Sequence, residues 1–237
     1  MDLIFLDTEA TGNDLTKDRI CQVCYQTKEG IFNGYFKPPV PMTVKSMSVT
    51  HITDKMLEDK ESFETSKMKQ DLDRLLKERI MVAHNARFDM AMLALEGLNV
   101  PRHICTLRVA RALDIDGKVP EYNLQFLRYY MSLEVDGSAH DAEGDVKVLV
   151  AIFDRLLKKV MEEIPDRDKA LEKMMDISKN PSLYRVFNFG KHKDKLIKDV
   201  AQTDKGYLEW LLKQKIDSGD EDEDWIYTLK YYLEAYK

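Results

Sequence analysis

Apolar positions in this chain come first as one unbroken run and then at two alternating periods. Leu3, Ile4, Phe5 and Leu6 follow one another without a polar break, which reads as a strand buried on both faces. Residues 20–27 and 30–37 read as two further strands joined across a Glu29-Gly30 turn, and so short a connection favours an antiparallel meander. Pro38, Pro39 and Pro41 end the meander, and the stretch through residues 48–53 reads as loop and short helix. From 64 to 77 the period turns helical, with Met68, Leu72, Leu75 and Leu76 on one stripe. Residues 79–83 then form a buried strand running into a helix that begins around His84 to Asp89 and carries Met92, Leu93 and Leu95 inward. A short strand at 103–107 and helices at 107–113 and 123–131 follow. The clearest helical pattern is Val146, Leu149, Val150, Phe153, Leu157 and Val160. Three meander strands followed by helices alternating with strands predict an α/β fold, a mixed sheet with helices on its faces.

Length and charge refine this picture. A chain of 237 residues suits one substantial core plus a small second unit. The highly charged stretch from Asp166 to Pro181 marks the boundary, giving a first domain at 1–164, a helical linker at 165–182 and a small C-terminal α+β domain at 183–237. The net charge of −6 seems unsuited to a nucleic-acid partner until it is located. Asp217, Asp220, Glu221, Asp222, Glu223 and Asp224 supply six acids with no base among them, and the rest of the chain is neutral. No window approaches 18 consecutive apolar residues, and the N-terminus enters the strand with no basic leader, so a cytoplasmic protein with no membrane partner is expected. Cys21 and Cys24 are three apart on a predicted strand and point to opposite faces, which suits buried free thiols rather than a shared metal.

Candidate chemistry begins where the first strand ends. Asp7 and Glu9, two apart on a strand, point to the same side with Cα atoms roughly 6.6 Å apart. Two carboxylates about 6 Å apart repel by about 3 kcal/mol at an effective dielectric near 20, so a cation between them is expected. An all-oxygen donor set suits Mg²⁺ or Mn²⁺. A solvated pair at a strand end is the plainer alternative. Gly12 would permit the tight turn that follows, and Thr11 offers a hydroxyl beside the site. Asp89 and Asp145 fall in first helical turns, where the helix dipole favours a carboxylate and where capping alone would also account for them. His140, five residues before Asp145, cannot share its direction on one regular helix and belongs to the approach loop.

Asp7, Glu9, Asp89, His140 and Asp145 together resemble the DEDDh group of the proofreading 3′-to-5′ exonuclease superfamily. Asp7-Thr8-Glu9-Ala10-Thr11-Gly12 is similar to its first motif, His84-Asn85-Ala86-Arg87-Phe88-Asp89 to its second, and His140 with Asp145 to its third. The resemblance covers roughly residues 1 to 160. It implies a ribonuclease H-like fold and two divalent ions held by Asp7, Glu9, Asp89 and Asp145, with His140 as general base. Thr11 and Asn85 match positions that touch the terminal nucleotide, although Asn85 also suits a helix cap. His51-Ile52-Thr53 resembles a His-Gly-Ile-Thr stretch of the family with its glycine missing, and Asp141 places an extra acid after the histidine.

The tail from Tyr184 to Lys195 and on to Leu212 is similar to the C-terminal unit of exodeoxyribonuclease X-like proteins. From Arg185 to Lys215 eight bases face four acids, and aromatics interleave with them, as a strand-binding surface or a solvated satellite would have it. The resemblance implies a metal-dependent exonuclease releasing mononucleotides from DNA with a free 3′ end. The alternatives are an RNA-trimming relative and a catalytically inactive nucleic-acid-binding module. Oligomeric state is not legible in the sequence.

Overall fold

The structure, a computed structural model, describes residues 1–135, 142–217 and 222–236. It divides into two compact units, Met1–Leu107 with Asn123–Met175, and Arg108–Tyr122 with Asp176–Lys237. Residues 108–122 thus cluster with the C-terminal part of the chain.

The first unit is built on a five-stranded sheet in the order β3-β2-β1-β4-β5. The strands are β1 (Leu3–Ala10), β2 (Ile20–Thr27), β3 (Gly30–Tyr35), β4 (Ile80–Ala83) and β5 (His103–Cys105). The first three form the expected antiparallel meander, while β4 and β5 add in parallel, so the sheet is mixed. Helices α1 (Val44–Thr50), α2 (Asp54–Leu57) and α3 (Lys67–Glu78) lie between β3 and β4, and α4 (Ala86–Leu95) between β4 and β5. Beyond β5 come α5 (Thr106–Leu113), α6 (Leu124–Tyr130), α7 (Ala142–Met161) and α8 (Arg167–Lys179). Among the described residues no helix is long and apolar enough to cross a membrane.

The two sheet faces are covered differently, and β1 shows why this matters. Ile4, Leu6 and Ala10 point into the main core with Leu72, Leu75 and Leu76 of α3 and Met92 and Leu93 of α4. Leu3 and Phe5 were expected to be equally buried but are only half-buried. Their face lies under α7, where Phe5 packs with Cys24, Ala142 and Val146 and meets Phe153 edge-on at 5.1 Å. Apolar cover on this face runs out at Phe5, and Asp7 and Glu9 continue the same row. The cysteines follow the expected split: Cys24 lies under α7, while Cys21 packs with Met42, Ile52 and Leu57. Burial pushes the Cys21 thiol up to about 12, so it is inert as a nucleophile.

The second unit contains α9 (Ile197–Thr203), α10 (Lys205–Asp217) and α11 (Glu223–Ala235) around Phe187, Trp225, Leu208, Leu211 and Leu229. The β part of the expected α+β unit reduces, among the described residues, to one antiparallel bridge, Val186 to Leu196. Half of the acidic run is structural. Asp224 is buried and accepts hydrogen bonds from Ser182 N at 2.8 Å, Arg111 Nη1 at 3.0 Å and Arg108 Nη2 at 3.4 Å. Glu223 accepts from Arg108, and Asp222 caps α11 by accepting from Trp225 N at 3.3 Å.

Candidate active site

The row left open on β1 becomes a site because α7 brings a third acid to it. Asp145, in the first turn of α7, offers a carboxylate oxygen that lies, with one from Asp7 and one from Glu9, in a set all within 4.8 Å of one another. At an effective dielectric near 20, three such charges repel by at least about 3 kcal/mol per pair. An all-carboxylate set of this spacing fits a hard divalent cation, which would relieve that repulsion. Asp7, Glu9 and Asp145 are therefore the residues that would hold one.

Asp89 stands apart from that group and is fixed by the same strand. The β1–β4 ladder stops at the Phe5 and Val82 pair, and β4 itself ends at Ala83. Thr8, three residues further along β1, lies past the end of that ladder. Asp89, carried by the first turn of α4 into the space beyond β4, accepts from Thr8 N at 3.0 Å and from Thr8 Oγ1 at 2.8 Å. Burial pushes the Asp89 carboxyl above the usual carboxylate range, and the two Thr8 hydrogen bonds pull it back.

Sequence reasoning missed Gln125. Asn123 caps α6 by accepting from Phe126 N at 2.8 Å, which places Gln125 in the first turn. Its Nε2 donates to Asp145 Oδ1 at 2.6 Å, while Arg128 Nη1 approaches its Oε1 at 3.4 Å. The arginine thereby turns the amide so that its donor end faces the carboxylate. Twenty residues separate the partners, so no local pattern marks the pair.

Asn85 precedes α4 in a left-handed conformation, φ 61 and ψ 44, and makes no side-chain capping bond. It is exposed, so its amide remains available to a ligand, and the uncommon backbone is of the kind found at binding sites. Thr11, by contrast, is fully buried. Its hydroxyl donates to Asp18 Oδ1 at 2.9 Å and accepts from Arg19 N at 3.1 Å. Asp18, a buried acid without a motif to announce it, also accepts from Asp14 N at 2.7 Å and so organises the loop. Gly12 is needed for this contact rather than for a positive φ, since a Cβ there would sit 2.3 Å from Asp18 Oδ2.

His51 shows φ 59 at the end of α1, the left-handed conformation that glycine favours, so it occupies the place of the missing glycine before Ile52-Thr53. His84 Nδ1 lies 2.9 Å from Thr106 Oγ1, a packing role. His140 and Asp141 lie outside the described residues.

Three carboxylates from β1 and α7 stand together beside a mixed sheet, and comparison with known proteins shows the family to which the chain belongs. Residues 4–153 match the Exonuclease family (RNase_T), and residues 187–215 match the Exodeoxyribonuclease X-like C-terminal family. Exodeoxyribonuclease 10 of Escherichia coli K12 is 30% identical over 200 residues, spanning 84% of this chain and 82% of that protein. DNA polymerase III subunit epsilon of Treponema pallidum is 30% identical over 167 residues, spanning 64% and 74%. In fold the chain resembles exonuclease X solved in complex with 5′-overhanging duplex DNA, with a TM-score of 0.55, 22% identity, and 74% and 99% of the two chains covered. It also resembles E. coli exonuclease I with a dT13 oligonucleotide, TM-score 0.54, 19% identity, covering 67% and 43%. The chain belongs to the Exonuclease family, and within it to the DEDDh 3′-to-5′ exonucleases, whose ribonuclease H-like sheet it carries. Members of this family generally depend on divalent metal.

Proposed function

We propose that this chain hydrolyses DNA from a free 3′ end to nucleoside monophosphates, with Asp7, Glu9, Asp89 and Asp145 holding two Mg²⁺ or Mn²⁺ ions. The carboxylate cluster of Asp7, Glu9 and Asp145 carries this reading, because three acids with oxygens within 4.8 Å of one another repel and suit a hard divalent cation. When bound, the ions would activate water and stabilise the leaving oxygen of the phosphodiester. In this reading Asp89, tied to β1 by its two hydrogen bonds from Thr8, adds the fourth carboxylate. Gln125 orients Asp145 and keeps one of its oxygens engaged.

His140 acts as the general base in this proposal, since an imidazole with an ordinary pKa near 6.5 accepts a proton from water at physiological pH. Asn85 contacts the terminal nucleotide with its exposed amide. Thr11 acts on that nucleotide through the loop it braces, its hydroxyl being occupied by Asp18 and Arg19. DNA is favoured as substrate by the relatives, among them an exodeoxyribonuclease and a DNA polymerase subunit.

The deciding experiment incubates the protein with 3′-labelled and 5′-labelled DNA and RNA oligonucleotides, with and without Mg²⁺ or Mn²⁺. Immediate release of the 3′ label as a mononucleotide, only with metal and faster from DNA, is the expected result. Faster trimming of RNA would transfer the assignment to an exoribonuclease. No hydrolysis of either would leave a binding module, and full activity in excess chelator would remove the metals.

A further inference from the structure

The chain has two tryptophans, and the second unit treats them in opposite ways. Trp225 is 3% exposed and stacks with Phe187 at 5.4 Å and Tyr184 at 4.7 Å. Trp210 is 54% exposed on α10. That helix buries Leu208 and Leu211 on its other side, so packing gives no reason to place the largest apolar side chain in water.

The ring does not stand alone. Helical side chains lean toward the N-terminus of their helix, and Trp210 accordingly leans onto Tyr207, ring centroids 5.6 Å apart and tilted by 35°. Tyr207 is itself held, edge-on to His192 at 4.8 Å and to Phe187 at 5.7 Å. Its hydroxyl lies where Gly190 has no side chain, since a Cβ there would sit 2.5 Å from it. Gly206, four residues before Trp210, leaves open space on the same side of the helix. The result is a supported aromatic surface, not a loose side chain.

Charge says what would lie on it. Lys191 Nζ is 5.8 Å over the Tyr207 ring and is held by Asp204 at 2.6 Å. Lys213, one turn beyond Trp210, is exposed. The segment from Arg185 to Lys215 carries eight Lys or Arg against four acids. A flat π face on a rigid backing, bordered by ammonium groups, is complementary to an unpaired base and its flanking phosphates. We propose that Trp210, backed by Tyr207, is a stacking platform for an unpaired nucleobase of single-stranded DNA, with Lys213 and Lys191 at the phosphates. This deepens the exonuclease reading and rests on it for the identity of the strand.

The test uses the full chain and (dT)12, in chelator for binding and with Mg²⁺ for kinetics. Binding should quench tryptophan emission saturably in the wild type and not in Trp210→Phe, whose remaining tryptophan is the buried Trp225. Trp210→Ala should raise KM by on the order of tenfold, with the loss in KM rather than in turnover at saturation. Lys213→Ala should make the salt slope of binding shallower by roughly 0.7. Quenching that survives in Trp210→Phe, or an unchanged KM in Trp210→Ala, would overturn the platform. So would a Trp210-dependent self-association with no response to the oligonucleotide, which would mark a protein interface. A wild type that is quenched but releases no nucleotide sinks the exonuclease reading and spares the platform; one that hydrolyses without quenching does the reverse.

Discussion

Asp89 and Thr8, 81 residues apart, are joined by two hydrogen bonds at the stretch of β1 beyond its ladder with β4. The relationship ties a buried acid to the strand that bears Asp7 and Glu9, and it separates what charge does from what shape does at this position. Asp89→Asn keeps an acceptor for both Thr8 donors and removes a charge that burial disfavours. Its unfolding midpoint without metal should equal or exceed that of the wild type, with hydrolysis nearly abolished. Asp89→Ala leaves the Thr8 N–H and hydroxyl without that acceptor and should lose about 1 to 3 kcal/mol as well. Denaturant melts of the two variants check this. Equal loss in both would mean that the charge itself supports the fold.

Gln125 should act on metal affinity through Asp145. Removal of an outer hydrogen-bond partner of a ligand typically weakens metal binding by roughly 10- to 100-fold. Gln125→Ala should therefore raise the Mg²⁺ concentration for half-maximal hydrolysis by that order while leaving the metal-free melting temperature nearly unchanged. Titrating activity against Mg²⁺ reads it directly, and a curve superimposable on the wild type would confine Gln125 to packing.

A pH dependence follows from the Glu29 and Arg79 pair, which bonds in fork fashion at 2.9 and 3.0 Å. Hydrogen bonding from Arg79 holds the Glu29 carboxyl down at about 2. The folded value lies below the unfolded one near 4.3, so the stabilisation is present above that range. It is lost as pH falls from about 5 toward 2. The difference in melting temperature between wild type and Glu29→Gln should thus be constant near neutrality and close as the solution is acidified. A difference that persists unchanged at pH 3 would assign the effect to packing.

The distinction between what was legible and what was not follows chain separation. A period of two along β1 revealed that Asp7 and Glu9 share a face, and a 3.6 period revealed α7 with Asp145 in its first turn. Both signals are local. The bonds from Thr8 to Asp89, Gln125 to Asp145 and Arg111 to Asp224 join residues 81, 20 and 113 apart, and no nearby residue type betrays them. Gly12 was recognised for the turn and not for its closeness to Asp18, because that closeness depends on a loop path that composition does not encode. The half-buried Phe5 was overestimated for a similar reason, since cover on that face depends on where α7 crosses.

The acidic run near the C-terminus has a consequence for stability that its charge alone would not suggest. Asp224 sits between two guanidinium groups whose side chains are only 7% and 17% exposed, while its own is 12% exposed. Removing one partner of a buried ion pair leaves the other uncompensated and typically costs about 3 to 5 kcal/mol. Asp224→Ala should therefore destabilise the second unit by that order, with Trp225, its sequence neighbour in the core, as the local fluorescence probe. Asp7, Glu9, Asp89 and Asp145 all belong to the first unit, so hydrolysis at low temperature should survive the change. Asp224→Asn should fall between, since it still accepts from Ser182 N but offers no charge to Arg108 and Arg111. Denaturant unfolding followed by tryptophan emission, with Trp210→Phe in all three backgrounds so that Trp225 alone reports, ranks the three proteins. If Asp224→Ala unfolds with the wild type, the cluster contributes no more than an exposed pair would.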